Sequence, residues 1–453
     1  MKRRDFLRSS STGLVVLALP AVGRAAEPCP PPELSVSGGA TVSSPCTSGA
    51  LGPAPTWFVN APERTWTTIA SGNTIKSVVP NPIPFNPGSH PGNITDAWSG
   101  AGVDQARGEY LLCGNGGHAD YPGNECYALS VRDEAPKWRR LSDPTPNNLI
   151  TFDNNVNAQG VAVYGDGRPR AMHSTFECYG DGRVWFPMQN SFTSPSGNGS
   201  HGVLSYNRDM LGAGTTPLPW TASNLGPWTI HPTPDFKGQN NMAFGRAAFD
   251  RIGHKVWAVG GNNNKDYPHY WSVNTSGPSL GNTTVYRYPT AMDNFNSWTV
   301  IAPELRIMIV GGEYGKKIYV FYMDKAGASD DWQTVTNVSG TGFFQMGAGG
   351  AYIPANKSIA IGNPKNTGSS IYKLQIPTKI SGGTVVYDAA GTWVWSQLNP
   401  SGGATVTVPA EGNDDTYSKW NIVEDMGNGQ SALVVATGYD SPVYVYKVPK
   451  SGL

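Results

Sequence analysis

The chain of 453 residues has no surplus of charge: 33 lysines and arginines stand against 33 aspartates and glutamates. Nucleic-acid binding and adhesion to an anionic membrane both need a concentrated basic footprint, so this balance argues against either partner. Past the first 26 residues no run is long and apolar enough to span a bilayer, so no membrane association is expected for the processed chain. Cysteine is scarce at five, and none of the five has the CxxC spacing of a zinc or iron–sulfur site. There are seven histidines, none after His269, and neither His201 nor His269 has a partner at metal-ligand spacing. No metal ligands are therefore assigned. The sequence requires no cofactor, and a structural metal ion is compatible with it.

Turn formers, by contrast, are abundant. With 55 glycines and 37 prolines, about one residue in five is a turn former, and 14 Trp and 20 Tyr supply bulk for sheet packing. Short apolar runs bounded by Gly, Pro, Asn and Asp predict many short strands and an all-β fold. One unit is clear from Arg107 to Trp138. Tyr110-Leu111-Leu112-Cys113 climbs into Gly116-Gly117-His118, and Cys126-Tyr127-Ala128-Leu129 then leads to Trp138. The order recurs at Arg306 to Gly312, Ile318 to Tyr322 and Trp332, and the double glycine stands 20 residues before the tryptophan where the first copy has 21. A third copy, Lys255 to Gly261, carries a long insertion before Trp298.

This apolar run, double Gly, Tyr, Trp order resembles the kelch repeat, which implies one β-propeller blade per repeat. Five sheets are expected at roughly Asp96 to Leu141, Arg170 to Trp228, Gly245 to Val300, Glu304 to Val335 and Gly347 to Leu398. The end of the chain, Tyr417 to Val448, supplies only the front of a blade, and an early strand bearing Trp66 is expected to complete it and close the ring. The count is six blades, or seven if the insertions around Ser191 to His201 and Gly261 to Gly281 hide strands. A single propeller domain is expected over residues 61–453.

Residues 1–26 have the form of an export signal. Lys2-Arg3-Arg4-Asp5-Phe6-Leu7 precedes a short apolar segment, Gly13 to Val22, and Gly23-Arg24-Ala25 offers a small-x-small cleavage site. The RRxFL core is similar to the twin-arginine signal, with Lys2 where that signal has Ser or Thr. The resemblance implies a bacterial protein of the periplasm or the exterior. Residues 27–60 read as a Pro/Ser/Gly-rich extended segment that Cys29 and Cys46 would staple. For the other cysteines, Cys113 with Cys126 across adjacent strands and Cys126 with Cys178 are rival pairings.

In a propeller the first strand of each blade lines the axis, so residues at its start share one pocket. Those positions read Asp96-Ala97-Trp98, Arg170-Ala171-Met172-His173, Gly245-Arg246 and Tyr417-Ser418-Lys419. His118 belongs beside them, in a compact polar turn with Tyr121 and Asn124. His118, His173, Arg246 and Tyr417 are the candidate catalytic residues, and Asp96, Trp98, Tyr121, Asn124 and Lys419 the candidate sugar contacts. The opposing expectation is a solvated channel mouth, with tryptophan serving the core.

The kelch resemblance brings two enzyme comparisons. Galactose oxidase relatives hold copper with two histidines and two tyrosines, and that pattern cannot be carried over with no histidine after His269. Propeller polysaccharide lyases use histidine and tyrosine for proton transfer and an arginine near the uronate carboxylate; His118, His173, Arg246 and Tyr417 are similar in kind. A monomeric lyase acting on an acidic glycan by β-elimination is the leading expectation. A lyase predicts an open groove with a basic floor, a sugar epimerase a small closed pocket, and a glycan- or protein-binding module a flat aromatic face without a convergent titratable cluster.

Overall fold

The computed structural model describes residues 52–453 apart from 86–88, 97, 118–120, 152–155, 176, 191–201, 212–224, 233–245, 261–268, 288–297, 312–315, 346, 401 and 410–415. The signal-like segment, Cys29, Cys46 and His118 lie outside the described residues. Within them the fold is a six-bladed β-propeller, 41% strand and 9% helix. Six sheets, antiparallel except where Val338–Ser339 adds in parallel to the fifth, stand around an axis, and their innermost strands are Gly102–Asp104, Cys178–Gly180, Arg246–Asp250, Trp298–Ala302, Gly349–Ile353 and Trp420–Val423. We number the blades 1 to 6 in that order; each innermost strand neighbours the next, and the sixth neighbours the first.

The burial pattern follows from stacking sheet on sheet. Along Glu109–Cys113 every residue is buried, yet Tyr110 and Leu112 join the apolar layer shared with blade 6 while Leu111 and Cys113 join the layer shared with blade 2. Alternate side chains thus serve two different cores. Six such layers occur, one at each blade interface, which is why these strands read as unbroken apolar runs. The double-glycine signals fall where expected, at the ends of the second strands Glu109–Cys113, Lys255–Val259 and Ile307–Gly311. Trp138, Trp228 and Trp332 begin the outermost strands of blades 1, 2 and 4.

Closure is as expected too. Trp66–Ile69 pairs antiparallel with Val443–Lys447, Trp66 opposite Tyr446, and so becomes the fourth strand of blade 6. The Trp66 indole donates to Ser369 O at 2.9 Å, tying that strand to blade 5. Two assignments need correction. Trp298 does not end blade 3, whose outermost strand is Thr283–Arg287; it opens the innermost strand of blade 4. Arg170 to His173 precede the innermost strand of blade 2 rather than forming it, because that strand starts at Cys178. Part of the expected extended segment, Thr56–Asn60, is a short helix whose Phe58 is fully buried between blades 6 and 1.

Each innermost strand runs the same way along the axis, so their starts gather at one end, the head, and their ends at the other, the foot. The foot is bolted from blade to blade. Asp104 accepts from Tyr179 at 2.7 Å, Asp181 pairs with His254 at 3.0 Å, Asp250 with Arg306 at 2.8 Å and Glu304 with Lys357 at 2.6 Å. Across the axis, Arg251 of blade 3 reaches Glu424 of blade 6 at 2.5 Å.

Cys113 and Cys126 sit opposite each other on neighbouring strands and form a disulfide, leaving Cys178 as a buried thiol. Replacing both with serine is expected to lower unfolding stability by about 2–4 kcal/mol in urea titrations. His231 stacks on Trp185 at 5.1 Å, with Nε2 2.8 Å from Ser205 Oγ; burial, helped by Arg183, lowers its pKa from 6.5 to about 4. A histidine neutral in the fold and free to protonate once unfolded removes stability as pH falls, starting near 6.5 and levelling off near 4. His231→Gln should flatten the urea midpoint over that window.

Candidate active site at the axial head

The head is built by turns that lead into the innermost strands. Before blade 1, a 3-10 turn, Pro91–Thr95, hands the chain to Asp96 and Trp98. Trp98 lies in the left-handed region at φ 69° and Tyr417, before blade 6, at φ 42°. Non-glycine residues rarely take this backbone, and where they do the surroundings impose it, often at binding sites. Gly100 and Ser418 are bridged in parallel, which seats the two strained turns side by side.

Glycine chemistry sets the roof of the site. Gly117 has φ 62°, and a Cβ there would stand 2.2 Å from Asn93 O. Gly116 donates to Met172 O at 2.8 Å and accepts from Tyr121 N at 2.9 Å, so the double-glycine loop lies flat on the strand leading to His173. The result brings Trp98 and His173 together, ring centroids 4.8 Å apart and tilted by 59°, both half-buried.

A second pair at the head is charged and buried. Arg246 opens the innermost strand of blade 3, and its guanidinium carbon lies 4.6 Å from the ring centre of Tyr417, which comes from the opposite blade 6. Both residues are 2% exposed. Desolvation lowers the Arg246 pKa to about 10, partly offset by Tyr417. Arg246 begins this strand and Arg251 directly follows its end, roughly 16 Å away, and both cross to blade 6. The axis is thus spanned near both ends along the same diameter.

The other expected contacts are placed as follows. Lys419 is fully buried, and its ammonium donates to Thr95 O and to Asp96 O, the latter at 3.2 Å, holding the blade 6 turn to the one entering blade 1. Asp96 is 9% exposed at the same junction. Asn124 is buried and holds Thr145 and Pro169 through its side chain. Tyr121 is buried and donates to Glu125 at 2.8 Å, an oxygen that Tyr127 also reaches at 2.6 Å. Arg170, packed on Val163 O at 2.9 Å, belongs to the framework under His173. Trp98, His173, Arg246, Tyr417, Lys419 and Asp96 are therefore gathered at the head, whereas Tyr121 and Asn124 are built into its support.

Two residues at this end carry no repeat signal and were not anticipated. Asn115 exchanges hydrogen bonds with Gly100, donating at 2.9 Å and accepting at 3.3 Å. It also donates to Glu177, a buried acid one residue ahead of the blade 2 innermost strand. The available hint was an acid set inside Phe176-Glu177-Cys178-Tyr179, an otherwise apolar run. Among the described residues no group of three or more His, Cys, Asp or Glu side chains could hold a metal ion. No helix among them is long and apolar enough to cross a membrane.

No family profile matches the chain, and no curated protein matches its sequence. Among solved structures it is similar to a DUF4623 family protein from Bacteroides eggerthii, at 11% identity and TM-score 0.37, covering 78% of this chain and 71% of that one. An α-L-arabinofuranosidase from Lactobacillus brevis matches at 8% identity and TM-score 0.35, covering 68% and 92%. An exo-β-1,3-galactanase from Phanerochaete chrysosporium matches at 11% identity and TM-score 0.31, covering 69% and 63%.

Gly117→Ala should cost more than about 1 kcal/mol, because the new Cβ meets a carbonyl in a backbone region that alanine avoids. Urea unfolding measures that loss.

Proposed function

We propose that this is an exported, monomeric, kelch-type carbohydrate-active enzyme that acts on an acidic glycan at the axial head. The reaction is β-elimination, as in a polysaccharide lyase. The Arg246–Tyr417 pair carries this reading, since it joins a cation and a phenol from opposite blades in a desolvated layer.

The chemistry needs that combination. Cleaving a bond β to a carboxylate begins with removal of a weakly acidic carbon-bound proton, and negative charge then builds on the carboxylate. Arg246, poorly solvated and fixed, stabilises that charge more strongly than a solvated cation would. The Tyr417 oxygen takes the proton as general base, and the half-buried Trp98 and His173 pair offers an aromatic and imidazole surface for the sugar. His118, outside the described residues, is retained as a further candidate for proton transfer. The Cys113–Cys126 disulfide suits an oxidising compartment, in keeping with export by a twin-arginine-type signal.

The 2% exposure of Arg246 and Tyr417 favours a second reading. A closed site suits one sugar unit, so a uronate epimerase shares the first step, with the proton returned to the opposite face in place of bond cleavage. The two readings differ in product.

Purified protein should be incubated with polygalacturonate, alginate and glucuronan, following the ultraviolet absorbance of an unsaturated uronate, and with free uronic acids in deuterated water. Absorbance gain identifies a lyase; deuterium at the carbon next to the carboxylate without absorbance identifies an epimerase. Tyr417→Phe should cut kcat by about 10²–10⁴. Arg246→Lys, which keeps the charge but loses the planar fork, should lower kcat/KM. Neither signal in the wild type would sink both readings and leave a binding propeller.

A further inference from the structure

A carbon-acid reaction of this kind needs a proton donor as well as a base, and the head holds an acid to which no role has been given. Glu177 is 1% exposed and stands at the head of blade 2. Its Oε2 accepts from the Cys113 backbone N–H and from the Asn115 amide, both at 3.4 Å, while its Oε1 is buried with no hydrogen-bond partner among the described residues. One oxygen is anchored and the other is unoccupied. A buried carboxyl oxygen left in this state costs free energy, which fits a group whose partner arrives with a ligand.

Its place ties it to the Arg246–Tyr417 layer. Asn115 joins Glu177 to Gly100, Gly100 is bridged to Ser418, and Ser418 follows Tyr417 directly. The titratable groups that feel its charge are Tyr110, which donates to Lys419 O at 2.7 Å, and the adjacent Cys178 thiol. Burial raises the Glu177 pKa well above the usual carboxylate range, against the pull of the bonds from Cys113 and Asn115, and so favours the proton-bearing form.

We propose that Glu177 is the proton donor of the axial site, delivering a proton to the oxygen that leaves the sugar ring. This rests on the elimination reading. The C5–H bond breaks as its proton passes to the Tyr417 oxygen, and the electron pair forms the C4=C5 double bond. The C4–O bond breaks, and the departing oxygen takes the Glu177 proton. Proton exchange with water returns Tyr417 and Glu177 to their starting states.

The disulfide gains a second role here, because the N–H that anchors Oε2 belongs to Cys113. Glu177→Gln keeps an acceptor for both anchoring bonds but cannot donate an acid proton. Assayed on the polysaccharide the wild type cleaves, E177Q should lose at least about 100-fold in kcat with KM within about threefold, and the alkaline limb of the pH–rate profile should disappear. Should E177Q fail to fold, Asn115→Ser keeps the acid and removes one bond that favours its charged form, so the alkaline limb should move to higher pH. An active wild type with an unchanged E177Q profile, or an unmoved limb in N115S, overturns the role of Glu177 and leaves the elimination reading standing. A wild type that neither cleaves nor binds any uronate overturns both.

Discussion

Ring closure is the constraint on which the rest of the structure depends. Each blade is a small sheet with two apolar faces, and a sheet of that kind cannot expose either face to water. Stacking blades covers one face at a time and always leaves two ends uncovered, until the last blade meets the first. Here the meeting is made by Trp66–Ile69 on Val443–Lys447 and by the layer that places Tyr110, Leu112 and Trp138 against Val434 and Val445. Lys419 adds a polar bolt at the same seam, its ammonium held by the backbone of Thr95 and Asp96. An unpaired buried ammonium would be costly, so this seam accepts one geometry.

Closure also creates the site. Once six innermost strands run in parallel around an axis, the residues that start them must share a small volume whatever their distance in sequence. Arg246 and Tyr417, 171 positions apart, meet at 4.6 Å because blades 3 and 6 face each other. The same diameter is spanned again at the foot by Arg251 and Glu424. Fixed dipoles and charges in such a desolvated end would act on an anion without the reorganisation that water requires.

Much of this was legible from residue order. Double glycines end strands because their backbone meets other backbone, as Gly117 does at Asn93, and tryptophans open outer strands where bulk is needed against a neighbouring sheet. Trp298 reads in sequence as the end of blade 3 because the insertion before it looks like the interior of a blade, and Arg170 to His173 read as a strand start because a framework segment precedes Cys178. Tyr121 and Asn124 looked like site residues through their polarity, yet that polarity serves Glu125, Thr145 and Pro169 inside the wall. Glu177 was passed over since a single acid in an apolar run has no periodicity to mark it.

What the sequence determined by itself is therefore the local and repeating part: short strands, their turns, the blade as a unit, and an early strand left over to complete a late one. Those features depend on neighbours in the chain, through backbone sterics and alternating burial, and they leave a pattern. Which side chains face one another across the axis was decided only by the tertiary structure. Arg246 over Tyr417, Trp98 against His173 and Glu177 against Asn115 are consequences of how many blades close the ring and in what register, a global property that no single stretch of residues carries.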